Sequence, residues 1–338
     1  EMVSGHHGIF QADRQSHRRD LKWMDEAEEW SHLRQRAIRI CQSYLLQQWP
    51  DPLPQPANQS TAMMALNGFC ILCDWLGSDE TYFRPEPHTP LLEYIPKSRQ
   101  RAHNRVRDAG FFQLAHSAAP TRFAPLFGFA PRPLQAAIDA IPDSLLNRPT
   151  LTIIEAPTGE GKTEAALALA RRIAALRHSD EMYLALPTTA TSNAMFQRVQ
   201  TYLQERLGLP PELVKLVHGQ DFLVEDDLRV EPTRTIELDH EPEPPSLAWF
   251  SPKKKALLAP FGVGTIDQAE LSALNVRHNA LRIVGLAGKT IILDEVHAYD
   301  TYMTTIIKRM LTWLAALGSS VILLSATLPQ ARRQELAQ

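Results

Sequence analysis

Two short stretches carry residue types that can do chemistry. In "APTGEGKT" (156–163), Gly159 and Gly161 free the backbone to turn successive N–H groups toward one anion. A helical pattern starts near Lys162, which brings a positive dipole end to the same point. This is the phosphate-loop pattern with Ala156 in place of the first glycine. Thr158 lies in its turn, Lys162 would reach the β- and γ-phosphates, and the Thr163 hydroxyl would sit on Mg²⁺. In "TIILDEVHAYD" (290–300), an apolar run ends in Asp294 and Glu295, with His297 two residues on. Paired carboxylates at the tip of a buried strand call for a metal ion, a phosphate chain, a catalytic water or plain solvent. Coupled to the phosphate loop, Asp294 would hold Mg²⁺, directly or through water. Glu295 would orient and deprotonate the water that attacks the γ-phosphate. His297 also reads as a hydrogen-bonded loop histidine.

These residues need a scaffold, and the apolar runs supply one. "LTIIEA" (151–156), "EMYLALP" (181–187), "KTIILDE" (289–295) and "SVILLSA" (320–326) have strand length. The first three are followed by helical patterns over 162–177, 190–207 and 299–317. Near-continuous apolar strands alternating with helices predict an α/β fold with a parallel sheet covered on both faces. Ligands bind beyond the carboxyl ends of such strands, where both chemical stretches lie. Residues 1–116 read as all-α, with "DEAEEWSHLRQRAIRICQSYLLQQW" (25–49) as the clearest helical period. The Pro-rich stretch 117–133 reads as a linker, 134–338 as the strand–helix domain, and 221–250 as a long insertion or loop.

At 338 residues, 44% hydrophobic and 22% charged, the composition is that of a globular protein of two domains. A net charge of −3 does not by itself announce a nucleic-acid partner. Such a role would rest on local runs such as "SPKKK" (251–255) or "KSRQRAHNRVR" (97–107), each of which also reads as a solvated basic face. Three cysteines are too few for a disulfide framework and suggest a reducing, cytoplasmic compartment. Cys70 and Cys73 read as small core residues, and no apolar run is long enough to span a membrane.

Asp-Glu-Val-His resembles the DExH signature of superfamily 2 helicases. So do "PRPLQ" (131–135), "ALPTTATSNAM" (185–195), "VGTIDQ" (263–268) and "SAT" (325–327). Together with "EAPTGEGKTEAALALA" and "LLSATLP", these segments are similar to the helicase-nuclease of type I CRISPR systems, which joins an HD-type nuclease to a translocating motor. The resemblance covers roughly residues 125 to 330. It implies a first RecA-like domain over 134–338 and ATP with Mg²⁺ as cofactors. Gln135 would read adenine, and Ser325 and Thr327 would hydrogen-bond toward Asp294 or His297. Thr188, Thr189, Gly264, Thr265 and Gln268 would meet phosphates of single-stranded DNA, contacts that read the backbone and not the bases. The implied partner is an RNA-guided CRISPR surveillance complex, and the implied setting is antiviral defence.

The same resemblance turns "SGHHG" (4–8) and "CDWLGS" (73–78) into nuclease elements. His6, His7 and Asp74 would then be ligands of divalent transition metal, with Mn, Fe, Co and Ni all open. Adjacent histidines project about 100° apart on a helix and so suit two ions better than one. Residues 1–116 would be the C-terminal part of the HD domain. Its earlier ligands would precede Glu1, and the second RecA-like domain would follow Gln338. The expectation is that this chain alone binds ATP poorly and neither unwinds nor cleaves well; either other chains complete it or it is an incomplete gene product. Two further readings are a non-catalytic docking module and a DExH helicase outside CRISPR.

Overall fold

The computed structural model describes residues 28–45, 59–111, 117–217, 255–274, 276 and 279–337. Three helices come first: α1 (Glu28–Leu45), α2 (Gln59–Gly77) and α3 (Leu91–Asp108). Short helices α4 (Phe123–Phe127), α5 (Pro133–Ala140) and α6 (Asp143–Leu146) lead to the first strand. From there the chain alternates through β1 (Leu151–Glu155), α7 (Lys162–Arg177), β2 (Met182–Leu186), α8 (Thr189–Tyr202) and β3 (Val214–Val217). It continues through β4 (Phe261–Thr265), α9 (Ile266–Glu270), α10 (Asn279–Leu286), β5 (Thr290–Leu293), α11 (Thr301–Ala316), β6 (Ser320–Ser325) and α12 (Gln330–Ala337).

The six strands form one sheet in the order β1-β6-β5-β2-β4-β3, and every pair is parallel. Side chains alternate between the faces. Met182, Leu184, Ile322 and Leu324 enter one apolar cluster, while Tyr183, Ala185, Val321 and Leu323 enter the other. Both faces are therefore dry, as the unbroken apolar runs predict.

β3 and β4 extend the sheet beyond the four strands legible as apolar runs. β4 reads "FGVGT", and its glycines make it look like a turn. Their cause is the neighbouring strand. Tyr183 pairs with Gly262 in register, and a Cβ on Gly262 would fall 2.7 Å from the Tyr183 ring. The Tyr183 hydroxyl then donates to the Thr265 carbonyl oxygen at 3.1 Å.

The helical and α/β parts share a core. Ile71, Leu72 and Leu76 of α2 are buried in the same cluster as Ala280 and Leu281 of α10. A Cβ on Gly68 would overlap the Ala280 carbonyl oxygen and come within 2.6 Å of Val284 Cγ2, so the two helices approach almost backbone to backbone. The Pro-rich stretch also contributes: Phe123 is fully buried and Leu126 nearly so. Arg171 of α7 holds it down through the Ser117 and Ala119 carbonyl oxygens and an ion pair to Asp180 at 3.1 Å.

Candidate active site

The sheet register decides which loops can meet. Glu155 at the end of β1 pairs with Ser325 of β6, and Leu323 of β6 pairs with Leu293 of β5. The loops after β1, β6 and β5 thus leave one rim of the sheet side by side. Adjacent strands lie about 4.8 Å apart, so the loop at 156–163 and the acids at 294–295 are separated by roughly 10 Å at their roots. A phosphate chain with its hydrated ion spans that gap.

The glycines of the first loop serve specific ends. Gly159 and Gly161 have φ of 88° and 77°, a region that L side chains rarely adopt. Gly161 also has no room for a side chain, because a Cβ would collide with Gln135 Nε2. Gln135 is 2% exposed; its Oε1 accepts from the Arg132 N–H at 2.8 Å and its Nε2 donates to the Gly161 carbonyl at 3.3 Å. Arg132 Nη1 donates to the Gly159 carbonyl at 2.6 Å, so segment 131–135 is tied to the loop twice. Thr158 is exposed, and Thr163 is half-buried in the first turn of α7. Lys162 is buried, and its Nζ donates to the Ala156 carbonyl at 2.7 Å. A buried ammonium, two left-handed glycines and a helix N-terminus make a donor set that fits a phosphate chain.

The acids stand opposite. Burial pushes the Asp294 carboxyl up. The Glu295 N–H, which donates to Asp294 Oδ1 at 2.8 Å, works against that, as do the charges of Lys162 and Arg198. A carboxylate under this strain of desolvation is suited to a cation. Glu295 itself takes φ 55°, a left-handed conformation that is costly for a glutamate. It is stabilised from both sides. The Tyr299 hydroxyl donates to the Asp294 carbonyl oxygen at 2.8 Å, and His297 Nε2 lies 3.2 Å from Glu295 Oε2.

His297 also faces β6. Its Nδ1 accepts from the Ala326 N–H at 3.3 Å and lies 3.4 Å from Ser325 Oγ. Ser325 Oγ donates to the Thr327 carbonyl at 2.9 Å. With Nδ1 accepting, the ring proton sits on Nε2 and points at Glu295. Ser325 Oγ thus lies beside His297 Nδ1, with its own proton given to the Thr327 carbonyl. Thr327 takes part through its main-chain oxygen, which accepts that bond.

The residues expected to meet DNA divide in two. Thr188 and Thr189 are exposed at the start of α8, where Thr188 caps the helix by accepting from the Thr191 N–H at 3.2 Å. Gly264, Thr265 and Gln268 are buried, the last two at 7% and 4% exposure. Gly264 and Thr265 end β4, between β2 and β3, and Gln268 lies in α9.

Of the metal-ligand candidates, His6 and His7 lie outside the described residues. Asp74 is exposed on α2, and among the described residues no group of three or more His, Cys, Asp or Glu is arranged to hold a metal. Cys73 is exposed and Cys70 half-buried, which corrects their reading as core residues: position 73 falls on the outer face of α2. Among the described residues no helix is long and apolar enough to cross a membrane. Three residues near the nucleotide site escape motif reading: Arg132, Arg198 and Tyr299. Arg132 and Tyr299 had a signal, since each falls within a quoted stretch, "PRPLQ" and "TIILDEVHAYD".

Comparison with known proteins adds a family. Residues 1–83 match the family model described as "Cas3, HD domain". The chain is 38% identical over 283 residues to the CRISPR-associated endonuclease/helicase Cas3 of Thermus thermophilus, covering 82% of this chain and 30% of that protein. A crystal structure of T. fusca Cas3-ATP superposes with a TM-score of 0.80 at 30% identity, over 99% of this chain and 37% of that one. A chain of a CRISPR RNA-guided surveillance complex, pre-nicking, matches with a TM-score of 0.64 at 28% identity, over 99% of this chain and 33% of that one. The chain therefore spans about a third of the length of the relatives it matches.

Proposed function

The chain belongs to the Cas3 family, and on that premise we propose that it supplies the ATP-binding half of a DNA motor joined to part of an HD-type nuclease. One observation carries the motor reading. The buried Lys162 and the carboxylates at 294–295 leave one rim of a parallel sheet, close enough for the lysine charge to act on Asp294.

In this reading Lys162 exchanges the Ala156 carbonyl for the β- and γ-phosphates. Thr163 and Asp294 would hold Mg²⁺, which would screen the phosphate charge. Glu295, oriented by His297, accepts the proton of the attacking water. Gln135 keeps Gly161 in place and faces the base. Ser325 senses the site through His297, and so relates nucleotide state to β6. Thr188 and Thr189 meet the phosphates of a single strand. His6, His7 and Asp74 belong to a separate site for divalent transition metal, which acts on the same strand. The name of the pre-nicking complex supports an RNA-guided surveillance complex as the recruiting partner; a cytoplasmic setting goes with that reading.

The test uses the full-length protein. His7→Ala should abolish metal-dependent cleavage of single-stranded DNA and leave DNA-stimulated ATP hydrolysis intact. Joint loss of both activities, or loss of neither, would contradict two separate sites.

A further inference from the structure

Helix α8 begins at the exposed threonines and runs back along α7. On its third turn, Arg198 Nη2 donates to Glu164 Oε1 at 2.7 Å, and Glu164 stands in the first turn of α7, two residues past Lys162. Lower down, the Tyr202 hydroxyl donates to the Leu167 carbonyl oxygen at 3.3 Å. The helices are thus pinned at two successive levels, and the levels differ in kind. Tyr202 and Leu167 are buried, whereas the side chains of Arg198 and Glu164 are 52% and 30% exposed. An ion pair so open to water contributes little by itself. It is a weak staple, but a nearby charge can perturb it.

Such a charge is due at this place. The Glu164 carboxylate lies on the cradle side of α7, since a Cβ on Gly161 would fall 3.6 Å from its Oε2. Arg198 also acts electrostatically on Asp294, across the site from Glu164. One guanidinium, carried by the helix that starts at Thr188, therefore addresses a carboxylate on each half of the nucleotide site. Neither the phosphate-loop pattern nor the paired acids assigns it a role.

We propose that Arg198 is a positioning residue that couples strand binding at 188–191 to nucleotide binding in the cradle, acting through Glu164. The inference rests on the nucleotide and DNA roles proposed above. A triphosphate brings negative charge toward the Glu164 carboxylate, and Arg198 offsets the repulsion. A strand that shifts α8 changes how well it does so, and the effect is reciprocal between the two ligands.

The test measures the affinity of the full-length protein for a fluorescent ATP analogue with Mg²⁺, with and without a saturating single-stranded oligonucleotide. Variants are Arg198→Ala, Glu164→Ala, the double variant and the charge-reversed Arg198→Glu/Glu164→Arg pair. In the unaltered protein the strand should raise affinity at least about fivefold. Each single variant should bring that ratio close to one, the double variant should lower it no further, and charge reversal should recover part of it. A purely structural role would weaken both affinities and leave their ratio unchanged. A wild-type ratio in Arg198→Ala, additive losses in the double variant, or nucleotide binding without any strand effect would overturn this inference alone. Failure of the unaltered protein to bind the analogue would overturn the functional reading beneath it.

Discussion

Gly161 is constrained twice, by a φ of 77° and by the Gln135 amide where its Cβ would go. Gly161→Ala should therefore displace either the loop or Gln135, and lower nucleotide affinity about tenfold in a direct titration. Glu270 shows a different constraint. It is buried, and its Oε1 has no hydrogen-bond partner among the described residues. Burial first, then the charges of Asp267 and Asp300, push its carboxyl up to about 7. The folded protein thus keeps a proton that the unfolded chain releases above about 4.5. Stability from this group is full below that pH and is lost as pH rises to about 7. Glu270→Gln should remove the loss, which is about 3 kcal/mol at pH 8, so its melting midpoint should rise there and stay unchanged near pH 4. A higher midpoint at both pH values would contradict the assignment. The cradle and the acids were legible because their chemistry depends on spacing along the chain. Glu270 and Arg198 were not, because burial and a helix-to-helix contact exist only once the chain is folded.

At the scale of elements, the strands that end in functional loops were the legible ones. β1, β2, β5 and β6 are apolar runs, with the 156–163 loop after β1 and the acids after β5, and α7 spans the residues its period predicts. β3 and β4 were hidden, β3 by its four residues and β4 by glycines that exist to admit the Tyr183 ring. Gly68 belongs to the same class. Nothing in "MMALNGFCIL" shows that it admits the backbone of α10, over two hundred positions away. Gly68→Val should force α2 and α10 apart at a cost of about 1–3 kcal/mol, visible as a lower denaturant midpoint. An unchanged midpoint would mean that the two helices are free to separate. Since α2 carries Asp74 and α10 leads into β5, the same variant tests whether α2 and the parallel sheet unfold together.

At the scale of the molecule, the chain spans about a third of the length of its relatives. Described residues matched by the HD model and residues on one face of the parallel sheet bury side chains in a single cluster, while the other face has a cluster of its own. The relatives are about three times as long, and unwinding and cleavage are properties to be measured on the complete protein. The site on the sheet rim can be tested more simply, by calorimetric titration of Mg·ATP into that protein and its Lys162→Ala variant without DNA. The expected result is saturable binding that the substitution weakens tenfold to about a hundredfold, the worth of a charged hydrogen bond of roughly 1.5–3 kcal/mol. Equal affinity in the two proteins would mean that no phosphate chain lies between Lys162 and the acids of β5, contradicting the motor assignment.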